Sequence, residues 1–266
     1  VQCPCILLQL IATGKPLSTV GMRIEDRTRT FIIAMERTVV PENFSFRMTD
    51  EEYRVLEKIK NSIPVCYLAD HADFALGIVT GNNKKFLSAE KTEHSEMVLK
   101  GTDICKYHIN PAKQYLRFEP EQFQQVAPLE IYRAPEKLLY RFISNQLVVA
   151  YDDRQMLSLN SCNIVIPKIE GMQIKYILAI LNSSVSQFVY QKEFHSIKVL
   201  RAHMEHIPIP RVGKAIQNEI IAMTEPLICG MGKEAAETCQ KRLDCRIMDL
   251  FRLSAEEQWI IRHALH

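Results

Sequence analysis

Three apolar runs in the middle of the chain place the strongest constraint on its fold. Residues 138–143 and 147–151 are separated by Ser144, Asn145 and Gln146, which is the pattern of a β-hairpin with a short turn. A third run, residues 162–166, ends at Pro167, because proline cannot donate to the hydrogen-bond ladder of a sheet. Successive short strands of this kind predict a mostly antiparallel sheet.

Helical patterns follow this sheet. Residues 174–189 carry apolar side chains at helical spacing, and Asn182, Ser183 and Ser184 interrupt or kink that helix. Beyond Gly213, residues 216–227 and 236–250 form two amphipathic patterns, and residues 254–257 are a capping box that starts a third helix. The two amphipathic helices either fold against the body or provide a surface for a partner.

The remaining elements complete a prediction of the fold class. Residues 5–12, 20–24, 31–35 and 114–118 read as strands, and residues 49–52 form a capping box at the start of a further helix. The sequence predicts an α+β fold, a mixed and mostly antiparallel β-sheet body with packed helices, followed by a C-terminal helical hairpin. The predicted division is a body of residues 1–210 and a helical segment of residues 211–266.

A polar loop between two apolar runs is the first candidate for function. Thr80 and Gly81 precede Asn82 and Asn83, and the strand-like runs 75–79 and 86–87 flank the loop, which predicts a hairpin turn. Two lysines at positions 84 and 85 follow the asparagines. Amide groups beside cations suit base edges and phosphates of DNA. The alternative is a solvated hairpin tip with ordinary surface lysines.

Charge is unevenly distributed along the chain. The formal net charge is only +2, but residues 80–117 carry seven Lys or Arg against four Asp or Glu, and residues 192–214 carry five against two. Two basic segments in an otherwise balanced chain are compatible with a single positive face that binds nucleic acid.

Composition sets the expected environment. The eight cysteines lack the spacing of a zinc knuckle, and no apolar run approaches the roughly 18 residues that cross a bilayer. We therefore expect a reduced, cytoplasmic protein without metal or membrane. The first residue, Val1, suggests a fragment of something longer.

Motifs for catalysis are missing from the sequence. There is no Gly-rich phosphate loop, no Gly-x-Ser-x-Gly and no Asn-Pro-Pro-aromatic tetrad of an amino methyltransferase. His203 and His206 lack a third ligand, and Asp152 and Asp153 are adjacent, so that their side chains point to opposite sides of a strand. Whether the chain is itself an enzyme stays open.

A series of short motifs, in a fixed order, carries a resemblance to a known family. The motifs are GIVTGNNKKF at residues 77–86, LKGTDI at 99–104, PEKLL at 135–139, VAYDD at 149–153, LNSCNI at 159–164, YILAILNS at 176–183 and IPIP at 207–210. With the helical tail at 248–257, this order resembles the TaqI-like C-terminal specificity domain of adenine-specific DNA methyltransferases and type II restriction–modification enzymes. The resemblance covers residues 63–262.

What the resemblance implies is a sequence-specific module for double-stranded DNA in a bacterial restriction–modification system. Its partner is an upstream methyltransferase domain of the same polypeptide, absent here, which holds S-adenosylmethionine and methylates adenine N6, with Mg²⁺ if the parent enzyme also cleaves. In this chain we expect phosphate contacts from basic side chains and base contacts from amides. The candidate DNA-binding residues are Thr80, Asn82, Asn83, Lys84, Lys85, Arg117, Arg141, Asn160, Lys192, His195, Lys198 and Arg201.

Two other functions compete with DNA recognition. The chain is a protein-interaction module that works through its C-terminal helices, or it is a complete methyltransferase or nuclease in its own right. Binding to duplex DNA at low salt separates the first alternative from DNA recognition, and methyl transfer or Mg²⁺-dependent cleavage by the isolated chain identifies the second.

Overall fold

The computed structural model describes residues 19–25, 29–37, 48–194 and 196–265. The predicted strand at 5–12 and the candidate residue His195 lie outside the described residues. The chain divides into two compact units, residues 1–50 and 51–266. The predicted domain boundary at residue 210 stays a prediction.

The described elements alternate between short strands and helices along the chain. The strands are β1 (Arg23–Glu25), β2 (Thr30–Ile32), β3 (Val65–Cys66), β4 (Ala72–Ala75), β5 (Leu87–Ser88), β6 (Glu96–Leu99), β7 (Tyr115–Leu116), β8 (Lys137–Arg141), β9 (Val149–Asp152), β10 (Leu157–Ser158), β11 (Cys162–Pro167) and β12 (Ile209–Pro210). The helices are α1 (Asp50–Asn61), α2 (Asn83–Phe86), α3 (Leu129–Tyr132), α4 (Ile174–Asn182), α5 (Ser184–Glu193), α6 (Arg201–Glu205), α7 (Lys214–Cys229), α8 (Lys233–Leu250) and α9 (Ala255–Ala264). Together they confirm the predicted α+β class.

In the first unit, β1 and β2 lie within or beside the strands predicted at 20–24 and 31–35, and they form an antiparallel pair. The Asp50 carboxylate accepts hydrogen bonds from the Ala34 amide and the Arg37 guanidinium. Burial works against its ionisation, but these partners outweigh burial and lower the pKa of Asp50.

The centre of the second unit is a four-stranded antiparallel sheet in the order β4-β11-β8-β9. The hairpin of β8 and β9 and the strand β11 are confirmed, with Lys137 opposite Asp152 and Arg141 opposite Cys162. One face of the sheet packs in a core cluster with a second sheet, β10-β6-β7-β5, through residues such as Leu139. Helix α4 packs on β8 and β9. Residues 137–140 are consequently all buried.

A fully buried ion pair closes the hairpin of β8 and β9. The Lys137 ammonium lies 2.5 Å from the Asp152 carboxylate and donates to the Tyr132 carbonyl at 2.7 Å. The same carboxylate accepts from the backbone amides of Arg154 and Met156, both at 2.9 Å. Burial lowers the pKa of Lys137, and the Asp152 charge works against that shift. The pair fixes the end of the hairpin.

The long helix predicted at 174–189 is two helices, because Ser183 ends one and starts the next. Its hydroxyl donates to the Ile180 carbonyl of α4 at 2.7 Å and accepts from the Ser186 amide of α5 at 3.2 Å. A side chain that satisfies both free helix ends is a cap, and it produces the interruption seen in the sequence.

The C-terminal helices form a hairpin that folds against the body. Helices α7 and α8 pack on each other, α7 also packs on α4, and α5 contacts both α8 and α9. Their buried positions are apolar, as at Ile220, Leu243 and Ile247. This confirms the predicted helical hairpin and favours its packing on the body.

One prediction of local structure is wrong. The runs that flank the loop at residues 80–85 do not pair as a hairpin. Val79 forms an antiparallel bridge with Gln125, and Leu87 pairs with Leu116 of β7. The loop instead begins helix α2, because the Asn82 side chain caps it by accepting from the Lys85 amide at 3.2 Å.

Candidate nucleic-acid interface

Three chain segments meet at one end of the β4-β11-β8-β9 sheet. Ile78 forms a parallel bridge with Leu159, and the Phe142 amide donates to the Ser161 carbonyl at 3.0 Å. The turn before β11, residues 159–161, therefore lies between the segment after β4 and the segment after β8. We call this place the loop end of the sheet.

Two glycines allow the backbones to meet there. A Cβ atom on Gly77 would lie 2.1 Å from the Leu159 carbonyl oxygen, and one on Gly101 would lie 2.4 Å from that of Ser161. Both distances are shorter than any real Cβ contact, so that a side chain at either position requires the backbone to move. The backbone of residues 159–161 is thus held from two sides.

The loop at residues 80–85 is held by its own side chains. The buried Thr80 hydroxyl donates to the Asn83 side-chain oxygen at 2.6 Å, and the Asn82 side-chain oxygen caps α2. Lys84 and Lys85 are exposed, and the Lys85 ammonium lies 4.6 Å from the centre of the Phe86 ring. The loop presents two cations on an ordered turn.

Asn160 and Arg141 occupy the same end but differ in exposure. Asn160 is exposed, and its backbone amide donates to the Ile78 carbonyl at 3.1 Å. The partly buried Arg141 guanidinium donates to the carbonyls of Gly101 and Ile104, at 2.9 and 2.5 Å. Arg141 thereby holds the turn at Gly101–Asp103, so that its described contacts are structural.

Lys198 reaches the loop end through the segment after α5. It forms an antiparallel bridge with Ile143, and its ammonium lies 5.7 Å from the centre of the Phe142 ring. The side chain is exposed. In the part of the chain that the structure describes, no carboxylate pairs with Lys198, Lys84 or Lys85.

Arg117 and Arg201 are exposed cations with carboxylate neighbours. Arg117 Nε lies 2.7 Å from Glu119, and Arg201 Nε lies 2.7 Å from Glu205 one turn along α6. The hydrogen bond that Arg201 donates to Glu205 raises the pKa of Arg201. Exposed pairs of this kind are weak, so both guanidinium groups are able to exchange partners.

Lys192 differs from the other candidates because most of its side chain is covered by the protein. Its ammonium lies 2.8 Å from Glu52 of α1, and both side chains are less than a tenth exposed. A lysine in this setting holds α5 against α1. The structure does not place Lys192 at the loop end.

Two exposed amides at the loop end were not among the sequence candidates. Asn145 and Gln146 lie in the connection between β8 and β9, which the sequence predicts only as a turn. The feature of the sequence that could have identified them as candidate base contacts is their residue type, because amide side chains pair with adenine. Their segment is paired with the segment of Lys198 through the bridge of Ile143 and Lys198, and a local sequence pattern does not predict such a distant pairing.

The described residues contain neither a membrane-spanning helix nor a cluster of metal ligands. None of the described helices is long and apolar enough to span a bilayer. Among the same residues, no group of three or more His, Cys, Asp or Glu side chains is arranged to hold a metal ion.

Comparison with known proteins gives one match to a family. Residues 96–209 match the family model of the TaqI-like C-terminal specificity domain. The match confirms the resemblance seen in the sequence, over a narrower span than residues 63–262. Among curated proteins, none matches the chain.

Solved structures that are similar to this chain have low sequence identity to it. The chain is similar to the type IIL restriction-modification enzyme MmeI, solved in complex with DNA, at 12% identity and a TM-score of 0.51, over 75% of this chain and 35% of that one. It is also similar to the type IIG restriction endonuclease BpuSI (12% identity, TM-score 0.47, 82% of this chain and 32% of that one). A third is the HsdS subunit from Thermoanaerobacter tengcongensis (13% identity, TM-score 0.41, 81% and 50%). The chain thus spans about a third to a half of the length of these proteins.

Proposed function

We propose, from the premise that residues 96–209 form a TaqI-like C-terminal specificity domain, that this chain recognises double-stranded DNA in a sequence-specific manner. The observation that carries the proposal is the loop end of the sheet. There, segments that are distant in sequence meet, and the loops that continue from them carry exposed lysines and amides. Lysines bind phosphates without regard to sequence, and amides read base edges.

The division of labour follows from exposure. Lys84, Lys85 and Lys198 are the free cations that neutralise phosphates and set affinity. Asn160 contacts base edges, since an amide pairs bidentately with adenine N6 and N7. Thr80 and Arg141 act indirectly, by holding the loop and the turn at Gly101–Asp103 in place.

In this proposal the chemistry belongs to another domain. An upstream methyltransferase domain of the same polypeptide would hold S-adenosylmethionine and methylate adenine N6, with Mg²⁺ needed if the parent enzyme also cleaves. This chain would position that domain on its site, in the cytoplasm. The proposal is supported by the match to a specificity domain, and reading the gene upstream for Asn-Pro-Pro-Tyr tests it.

The experiment for DNA recognition is a salt titration of binding to a mixed-sequence duplex. Replacing Lys84 and Lys85 by alanine together is expected to weaken binding to all duplexes. It should also make the slope of log K against log salt shallower by about 2, because each phosphate contact contributes about 0.9. The matched control replaces Lys233 and Lys241, two exposed lysines of α8. Equal slopes for the wild type and the loop variant would contradict the role of the loop.

A protein-interaction function is favoured by one observation. A groove of about 630 Å³ between α7 and α8 is lined by apolar side chains such as Met223, Pro226 and Met231. If the chain binds no duplex at low salt but forms a stable complex through this groove, the interaction function replaces DNA recognition.

A further inference from the structure

The tip of the β8–β9 hairpin exposes apolar side chains beside a cation. Residues 142–146 and 196–199 are bridged by two backbone hydrogen bonds, from the Ser144 amide to the Ile197 carbonyl at 3.0 Å and from the Val199 amide to the Phe142 carbonyl at 2.7 Å. We call these residues the ribbon tip. Ile143 is 62% exposed and Ile197 is 67% exposed, which places both among the most exposed large apolar residues of the described chain.

The antiparallel register of the ribbon tip, with Ile143 opposite Lys198, places these two side chains on one face and Ile197 on the other. The neighbouring Val199 is buried, so the exposure is specific to the outward positions. Asn145 and Gln146 are exposed at the same tip, and the Lys198 ammonium covers the Phe142 ring from the same strand segment. The ribbon tip therefore exposes an isoleucine on each face, with a lysine beside Ile143 and two amides in the turn.

Charge at the ribbon tip indicates which kind of partner it fits. The sequence contains no Asp or Glu between residues 137 and 151, and none between residues 194 and 204. The two carboxylates that flank the second segment are both paired, Glu193 with Lys60 and Glu205 with Arg201. Segments that carry no carboxylate of their own and that expose an unpaired lysine complement a polyanion.

Size and chemistry point to a groove of the duplex. The major groove of B-form DNA admits a two-stranded β-ribbon. Inside it, thymine presents a methyl group to apolar side chains and adenine presents N6 and N7 to amides. The ribbon tip carries both types of side chain.

We propose that the ribbon tip is a second recognition element, which reads A·T base pairs in the major groove. Ile143 and Ile197 contact thymine methyl groups, and Asn145 and Gln146 pair with adenine. The inference rests on the proposed DNA recognition, and it adds residues that the sequence analysis did not single out. Lys198 anchors the tip to the adjacent phosphate.

The test compares the full chain with a double variant, Ile143→Ala with Ile197→Ala. A duplex is first selected by the wild-type chain from a random pool, and binding is measured against a scrambled duplex. The variant is expected to lose about tenfold in the ratio of the two affinities, with an unchanged salt slope, because apolar contacts release no counterions. Replacing every thymine of the selected duplex by uracil should weaken the wild type and leave the variant unaffected.

Two controls keep the outcomes distinct. Leu129→Ala, which shortens another exposed apolar side chain, should retain the wild-type ratio, and thermal unfolding should show that all variants are folded. A variant with the wild-type ratio and uracil response would overturn the inference and leave DNA recognition intact, with the tip as a surface for protein contacts. A wild-type chain that binds no duplex at low salt would overturn both proposals.

Discussion

At the scale of single residues, burial separates the charged side chains of this protein into two groups. Lys137 and Lys192 have carboxylate partners inside the protein, whereas Lys84, Lys85 and Lys198 are exposed. Residue type alone does not distinguish these groups. Glu52 lies 140 residues before Lys192 in the chain, so that a sequence pattern gives no sign of the pair.

The buried ion pair of Lys137 and Asp152 leads to a prediction on stability. Replacing Lys137 by methionine leaves the carboxylate buried without its cation, and such changes cost about 3–5 kcal/mol of unfolding free energy. Urea unfolding followed by circular dichroism measures this loss. The matched control is Lys168→Met, whose partner Asp73 is exposed, and its cost should stay below about 1 kcal/mol. Equal losses in the two variants would contradict the structural role of the buried pair.

Glu257 leads to a prediction on pH dependence. Its carboxylate accepts from the Lys58 ammonium at 2.6 Å and from the Ser254 amide at 2.7 Å. Burial opposes the charge, but these partners outweigh burial and keep the pKa of Glu257 below its ordinary value. A lowered pKa means that the contribution to stability is present above about pH 4.5 and is lost as the pH falls through the folded-state pKa.

The measurement for Glu257 is unfolding free energy as a function of pH. Glu257→Gln should be less stable than the wild type by about 1–2 kcal/mol at pH 7, and the difference should shrink below about pH 4.5. The exposed neighbour serves as a control, since Glu256→Gln should change stability little. A difference that persists unchanged at acid pH would refute the assignment.

At the scale of elements, the sequence predicted what local patterns determine. The hairpin of β8 and β9 and the strand β11 were predictable, because continuous apolar runs with short turns have few other solutions. The loop at residues 80–85 was not, because asparagine before lysine suits a hairpin turn and a helix cap equally well. Val79, which precedes the loop, pairs instead with Gln125, in a segment with no strand pattern.

In the candidate site, too, local features were predictable from the sequence and contacts between distant segments were not. Exposed lysines at 84, 85 and 198 were found from residue type and local composition. Arg141 and Lys192 were also selected, although their groups bind a carbonyl pair and a buried carboxylate, because contacts between distant segments decide burial. Asn145 and Gln146 were not identified as candidates because a hairpin turn is sufficient to account for polar residues at these positions.

At the scale of the whole molecule, charge bears on how this chain would meet DNA. A formal net charge of +2 gives little long-range attraction, so that binding depends on local groups. Three unpaired lysines at the loop end predict a slope of log K against log salt of about −3 for the wild type. This value is tested by measuring binding to a mixed-sequence duplex between about 50 and 200 mM salt. A slope steeper than about −6 would mean that other cations carry most of the phosphate contacts.

The glycines at 77 and 101 have a consequence for how a recognition surface of this type changes over time. They contact the turn at 159–161 through main-chain atoms, so the position of the turn does not depend on which side chain residue 160 carries. An outward residue there is therefore exchangeable without rebuilding the scaffold. Single substitutions at position 160 can therefore change the preferred DNA target. A substitution at Gly77 or Gly101 would displace the backbone of the turn and is expected to be selected against.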